Sequence, residues 1–301
     1  MDELYEELRP RAFAIAYRML GSVSEAEDVV QEAFLRLHRA LDAGESIESP
    51  GAYVSTIVTR LAIDELRSAR VRRERYVGEW LPEPLVTDER DEPARHAEMA
   101  DSLSLAFLVL LENLSPEQRA VFLLHDVFDY PFKDVAEIVG KSEAAARQLA
   151  VRARRHVDEG GQRFSASREE QEELAGRFFA AVEEGDLDGL EELLAADVVL
   201  HGDGGGKVPA LARPLHGSAR VARTFSAWAR AGDRILGLQL RRVEANGQPA
   251  AMMLDGEDRV IGVLALDIAD GRVQAVRSIV NPEKLGHLGP VADLRALLRS
   301  D

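Results

Sequence analysis

Val135-Ala136-Glu137-Ile138-Val139-Gly140-Lys141-Ser142-Glu143-Ala144-Ala145-Ala146-Arg147-Gln148-Leu149-Ala150-Val151-Arg152-Ala153-Arg154-Arg155 is the stretch on which the reading of this 301-residue chain turns. A short apolar-periodic segment stops at Gly140, and glycine closes helices readily in the left-handed conformation. Ser142 then offers an N-cap, and Glu143 to His156 keeps helical spacing. Short helix, glycine turn, second helix is the layout of a helix-turn-helix. The second helix should expose Ala144, Ala145, Arg147, Gln148, Val151 and Arg152 along its first half. Small residues let a helix approach the major groove, while Arg and Gln match guanine and adenine edges. A structural helical hairpin with a solvated charged face would read the same way.

Working outward, Ser115-Pro116-Glu117-Gln118 is a capping box with Pro at the first helical position, inside a helical block from Ser102 to Val157. A further block precedes Tyr76. Ser24-Glu25-Ala26-Glu27 also reads as a capping box, followed by the stripe Ala26, Val29, Val30, Ala33, Phe34, Leu37 and Leu41. Ser49-Pro50 opens another helix, with Tyr53, Val54, Ile57, Val58 and Leu61 on one side. That helix then turns basic: Arg60, Arg67, Arg70, Arg72, Arg73 and Arg75. Cations suit a helix C-terminus, so a solvated helix end competes with a phosphate-binding surface.

Between the blocks, Gly78 to Asp101 reads as a largely extended acidic linker. Pro82 and Pro84 in Trp80-Leu81-Pro82-Glu83-Pro84 forbid a helix interior. Gly160-Gly161 and the polar run to Ser167 mark a second boundary. Beyond it, helices are expected at Arg168–Glu184 and Leu187–Ala195. Strands are expected at Ile235–Val243, Ala250–Leu254, Val260–Ile268 and Val273–Ile279, with turns at Asn246-Gly247, Asp255-Gly256 and Asp270-Gly271. Helices followed by antiparallel strands suggest an α+β domain.

The hydrophobic share of 46% supports ordinary cores, and the absence of cysteine excludes disulfide scaffolds, thiolate zinc sites and thiol catalysis. Met1 to Glu7 lacks the basic segment and apolar run of a secretory signal. The longest apolar runs fall far short of the ~20 residues of a membrane helix. The expectation is a soluble cytoplasmic protein. With 53 acidic against 37 basic residues, the net charge of −16 argues against tight unaided binding to nucleic acid.

The combination resembles the extracytoplasmic-function sigma factors of bacterial RNA polymerase, over about Leu4 to Val157. Met19-Leu20-Gly21 and Ala26-Glu27-Asp28-Val29-Val30-Gln31-Glu32-Ala33-Phe34 are similar to that family's region two. The resemblance implies that Glu27, Asp28, Gln31 and Glu32 dock on the polymerase clamp. It implies that Arg60, Arg67, Arg70 and Arg73 meet DNA at the minus-ten region. Many members carry Asn where this chain has Arg60, so that Asn's base contact does not transfer. Leu103–Val157 is similar to region four, which reads the minus-thirty-five element, through Ala144, Arg147, Gln148 and Arg152 here. Three strings narrow the match to the subgroup with a fused SnoaL-like C-terminal domain, the sigma factor J type. They are Trp80-Leu81-Pro82-Glu83-Pro84, Asp203-Gly204-Gly205-Gly206-Lys207 and Asn281-Pro282-Glu283-Lys284-Leu285.

The implied architecture is multidomain: two all-α sigma domains and a C-terminal α+β, cone-shaped barrel. The modules are region two at 1–77, the linker at 78–101, region four at 102–160, the barrel at 168–285 and a tail at 286–301. Partners would be core polymerase, through clamp and flap, and promoter DNA as holoenzyme, with no membrane and no cofactor or metal. The barrel would be a regulator acting in cis, with Trp80, Leu81 and Pro82 meeting Asp203–Lys207 and Asn281, Pro282 and Lys284. Such a barrel could also hold an unidentified small molecule. The glycine run lacks the spacing of a phosphate loop. Two rivals stand beside this reading. One is a small-molecule isomerase or hydrolase using His201, Asp203, His216, Asp255 or Asp267. The other is a ligand-sensing helix-turn-helix regulator. Neither accounts for the first seventy-six residues.

Overall fold

Each helix of the N-terminal block buries one stripe against the other two. The structure, a computed structural model, describes residues 2–73, 76–87, 104–159, 167–232, 235 and 237–299, with backbone alone at 2, 69–73 and 159. The expected acidic run Asp88–Asp101 and the Gly160–Ala166 boundary lie outside the described residues. Helices α1 (Asp2–Leu20), α2 (Val23–Asp42) and α3 (Pro50–Arg73) pack mutually. Ala26, Val29, Val30, Ala33 and Leu37 of α2 are buried, as their spacing predicts. The cap is a correction. Ser22, not Ser24, accepts from Glu25 N at 3.1 Å, and Ser24 lies inside the first turn. Gly21, left-handed at φ 66°, reverses the chain early enough to put the helix's free amides over Ser22.

The second block comprises α4 (Leu105–Leu111), α5 (Pro116–Phe122), a π-helical turn (Leu123–Val127), α6 (Phe132–Val139) and α7 (Glu143–Glu159). Ser115 and Gln118 form the reciprocal capping box, with bonds of 3.2 and 2.9 Å. Gly140, at φ 65°, separates α6 from α7, and Ser142 Oγ accepts from Ala145 N at 3.2 Å. Residues 1–75 and 107–162 form one compact unit. A buried arginine joins its halves. Arg119 donates to Leu111 O at 3.0 Å, Met19 O at 2.5 Å and Glu112 at 2.7 Å. Burial pulls this guanidinium down to about 9, so it stays cationic at neutral pH.

The second unit, residues 76–106 with 163–301, is built on a seven-stranded sheet. Its strands are β1 (Val86–Thr87), β2 (Leu194–Asp203), β3 (Leu215–His216), β4 (Gln239–Ala245), β5 (Gln248–Leu254), β6 (Val260–Ala269) and β7 (Arg272–Ile279). The order is β1-β4-β5-β6-β7-β2-β3. The pairing of β2 with β7 is parallel, so the sheet is mixed where an antiparallel one was expected. Helices α8 (Arg168–Glu184), α9 (Leu187–Leu193) and α10 (Ser218–Gly232) cover one face. Phe178, Phe179 and Phe225 meet there edge to face at 5.4 Å.

Several boundaries move. The strand expected from Ile235 begins at Gln239, because Ile235 turns into a separate apolar cluster with Ile261 and Val280. Asn246-Gly247 and Asp270-Gly271 are two-residue turns with positive φ throughout. Asp255-Gly256 opens a longer loop, in which Asp255 accepts from the amides of Glu257 and Arg259 at 3.0 Å. The expected tail after Leu285 is folded. Ala292 and Leu294 are buried in that second cluster, and Val291 bridges to Val260. The free end of β6 accepts this segment because Val260 has both backbone groups available to it.

Phe225→Ala should lower the stability of the second unit by about 3–5 kcal/mol, since the ring fills a closed aromatic cluster. Urea unfolding of the full chain, followed by Trp fluorescence, measures it.

Candidate functional site

Helical periodicity sorts α7 into two chemically distinct faces. Ala146, Ala150 and Ala153 are wholly buried, so the helix sits close on its neighbours. Ala144, Arg147, Gln148, Val151 and Arg152 are exposed on the other side, and Ala145 is half-buried. Arg147 is held outward rather than free. It pairs with Glu143 at 2.5 Å, and its guanidinium lies 4.5 Å from the centre of the Phe132 ring. Arg154 is turned away, onto Asp126 at 2.6 Å. The resulting surface is a cationic and amide edge on a helix that small residues let approach a groove.

On α2 the acidic side chains differ among themselves. Glu27 is paired with Arg9 at 2.6 Å and Glu32 with Arg36 at 2.7 Å, whereas Asp28 and Gln31 are exposed. Leu35, 43% exposed, continues this face one turn on. Sequence reasoning missed it, although its departure from the buried stripe was the signal: an apolar side chain among acids.

The basic end of α3 is partly engaged. Arg60 donates from Nε to Ile138 O and from Nη2 to Glu137 O, both at 3.0 Å. Arg67 bonds Asp64 at 3.0 Å and Glu117 at 2.6 Å. The side chains of Arg70 and Arg73 lie outside the described residues.

In the second unit one buried carboxylate gathers three distant segments. Asp203 ends β2 wholly buried. Its Oδ1 accepts from Tyr76 Oη at 2.5 Å and Gly205 N at 3.0 Å. Its Oδ2 accepts from Leu81 N at 2.9 Å and Lys284 Nζ at 2.7 Å. Lys284 also donates to Leu81 O, and its ammonium lies 4.2 Å from the Trp80 ring centre and 5.0 Å from that of Tyr76. Burial first, and then the Asp203 carboxylate, push the Tyr76 phenol far above its ordinary range, so it stays a donor. Asn281 Nδ2 donates to Tyr76 Oη at 2.8 Å, while its own side-chain oxygen caps the short turn Pro282–Lys284. Gly205 must be glycine, because a Cβ there would stand 2.4 Å from Asn281 Nδ2, at φ 56°. Lys207 reaches Glu283 at 3.0 Å on the surface.

The segment then joins the sheet. Leu81, Pro82, Glu83 and Pro84 are buried. Leu85 exchanges hydrogen bonds with Asn246, and Val86 and Thr87 pair with Ala245 and Glu244 as an edge strand. His201 Nδ1 lies 2.7 Å from Glu79, and His287 Nε2 lies 2.8 Å from Pro84 O. What the sequence presents as an extended linker is, from Tyr76 to Thr87, a folded part of this unit.

The other titratable groups of the unit do not converge. Leu200, Leu266 and Val276 face the helices, so alternation puts His201, Asp203, Asp267 and Arg277 on the opposite side of the sheet. Asp267 is paired with Arg277, and Asp255 with Arg259. His216 is exposed on β3. Among the described residues no group of three His, Cys, Asp or Glu is arranged to hold a metal. Among them too, no helix is long and apolar enough to cross a membrane.

Three family models match in order: Sigma-70 region 2 over residues 4–72, Sigma-70 region 4 over 104–157 and a SnoaL-like domain over 175–280. The chain is 42% identical to the extracytoplasmic-function (ECF) RNA polymerase sigma factor SigJ of Mycobacterium tuberculosis, across 93% of this chain and 91% of that one. It is 32% identical to a probable ECF sigma factor, SigI, of the same species, across 91% of each. The crystal structure of Mycobacterium tuberculosis SigJ superposes with a TM-score of 0.76 at 38% identity, covering 95% of this chain and 98% of that one.

Lys284→Met should cost about 3–5 kcal/mol, because it strands a buried carboxylate without its cation. Limited proteolysis of the full chain should then cut within 76–87 faster than in the parent. Asp203→Asn keeps the shape and should release the segment less.

Proposed function

The chain belongs to the extracytoplasmic-function sigma factors of RNA polymerase, and from that premise we propose which surfaces do its work. It is an alternative sigma factor whose partners are core RNA polymerase and promoter DNA. The observation that carries the assignment of surfaces is the sorting of α7. Its buried alanines leave Ala144, Arg147, Gln148 and Arg152 as the edge offered to DNA. In the proposed reading this edge reads the minus-thirty-five element. Asp28 and Gln31, with Glu27, Glu32 and Leu35 beside them, dock on the clamp. Arg60, Arg67, Arg70 and Arg73 run along DNA phosphates at the minus-ten region, where cations position rather than specify. Regions two and four would act as separate modules on the polymerase, in the cytoplasm.

The SnoaL-like domain is read as a regulator acting in cis rather than an enzyme. Supporting this, its helix-covered face is filled by Phe178, Phe179 and Phe225, and His201, Asp203 and Asp267 lie on the other face of the sheet. Fold alone does not bring catalysis. The clasp at Asp203 and Lys284 is the means by which this domain would hold the linker and bias the factor between states. Coupling of this kind is typically ~1–3 kcal/mol.

Run-off transcription with purified core polymerase tests the whole reading, and failure to bind core would end it. Arg147→Ala should reduce discrimination at the upstream element by about 1–3 kcal/mol, measured as relative promoter occupancy across variant sequences. The double reversal Asp28→Lys with Glu32→Lys should weaken core binding in titration without lowering thermal stability by more than ~0.5 kcal/mol per site. Unchanged affinity would refute the clamp assignment.

A further inference from the structure

The two helical modules touch through cations that meet backbone carbonyls. Arg119 of region four closes the end of α1 at Met19 O. In the other direction Arg60 of region two closes the end of α6. The final carbonyls of a helix have no partner within it and carry its negative pole, so a guanidinium satisfies them well. Arg60 meets two successive ones, Glu137 O and Ile138 O, through the Nε and Nη2 edge of its fork. Lysine would meet them as a hydrated point charge, without the fixed planar fork. Around it, Arg11 reaches Phe128 O at 3.3 Å, Tyr130 Oη donates to Ser55 Oγ at 2.9 Å, and Arg67 meets Glu117.

This contact cannot coexist with promoter reading. The minus-ten and minus-thirty-five elements are by name some twenty-five base pairs apart, about 85 Å of duplex at ~3.4 Å per pair. The longest helix of the unit, α3, has 24 residues and so spans only about 36 Å. With Arg60 on α3 bonded to α6, the helix assigned to one element lies against the motif assigned to the other.

We propose that Arg60 is a shared positioning residue. In the free factor it latches region two to region four through the end of α6, and in the initiating complex it is released to the DNA backbone. One guanidinium cannot serve both partners, so opening the factor and engaging the minus-ten strand become one event. This rests on the assignment of α3 and α7 to the two promoter elements. It adds that Arg60 makes closure competitive with DNA.

The test uses the full chain. Because the parent has no cysteine, His38→Cys on α2 and His156→Cys on α7 accept a donor–acceptor dye pair cleanly. In the free protein, R60N and R60K should both lower energy transfer. Their apparent affinity for core polymerase should tighten roughly 3- to 10-fold, because less of the population is held closed. At saturating core, R60N should shorten the open-complex lifetime several-fold at a cognate promoter, while R60K, still cationic, should restore much of it. Unchanged energy transfer would overturn the latch, and an open complex indifferent to R60N would overturn the shared role. The transfer measurement needs neither polymerase nor DNA. Failure of the sigma-factor reading, seen as no core binding by the parent, is therefore distinguishable from failure of the latch.

Discussion

Burying the Asp203 carboxylate is the constraint around which the second unit is arranged. Moving such a charge out of water costs several kcal/mol unless a cation and enough donors replace the solvent. Lys284 supplies the cation, and Tyr76, Leu81 and Gly205 supply the donors. Each donor fixes something further. The Leu81 amide holds the linker at the end of β2, and the Gly205 amide requires a left-handed residue there. The Lys284 ammonium needs the Asn281-capped turn beneath it. From Leu81 onward the chain has only to continue to reach the open edge of β4, where Val86 and Thr87 complete the sheet. Tyr76–Thr87 is thereby made part of a folded unit by polar contacts, which burial makes strong and directional, beside its buried Leu81, Pro82 and Pro84.

Strand alternation sorts the side chains of this sheet between its two faces. A step of one residue along β2 or β7 exchanges the helix-covered face for the other. Leu200 and Val276 occupy the first, while His201, Asp203 and Arg277 occupy the second. Of these, His201 and Asp203 meet the linker, at Glu79 and at Tyr76 and Leu81. The helix-covered face is packed with the rings of Phe178, Phe179 and Phe225.

Legibility in the sequence followed the range of the interactions. The helical stripes, the Ser115 capping box and the Gly140 turn depend on residues within one or two turns, and spacing reveals them. The cap at Ser22 escaped because Ser24 presents a competing pattern, and only the left-handed Gly21 decides between them. Strand β2 escaped because a bulge between Leu194 and Val199 breaks its alternation and its partner β7 lies seventy residues on. Helix α10 buries a narrow stripe whose apolar side chains are Val221, Ala222 and Phe225, among arginines and alanines. On the edge proposed to face DNA, the exposure of Arg147 and Gln148 could be read from position on a helix. Nothing in the spacing says that Trp80–Leu81, Asp203 and Lys284 meet on one carboxylate, and only a resemblance pointed to those strings. Arg60 looked like one more cation in a basic run, because its partners are backbone carbonyls that carry no sequence signal.

The clasp also has a consequence for which signals can reach it. Small extracellular domains fasten distant segments with disulfides, whose state follows the redox poise of the compartment. Here the same topological task, tying residue 81 to residues 203 and 284, falls to an ion pair in a chain with no thiol. An oxidant finds no sulfur to act on at this fastening. Ionic strength has little purchase on it either, because buried charges are screened weakly. A competitor for its hydrogen bonds, or a pull on the linker itself, acts on it directly. As a fastening it is therefore closed to thiol chemistry and only weakly open to salt, whereas occupancy of its acceptors and displacement of the linker bear on it directly.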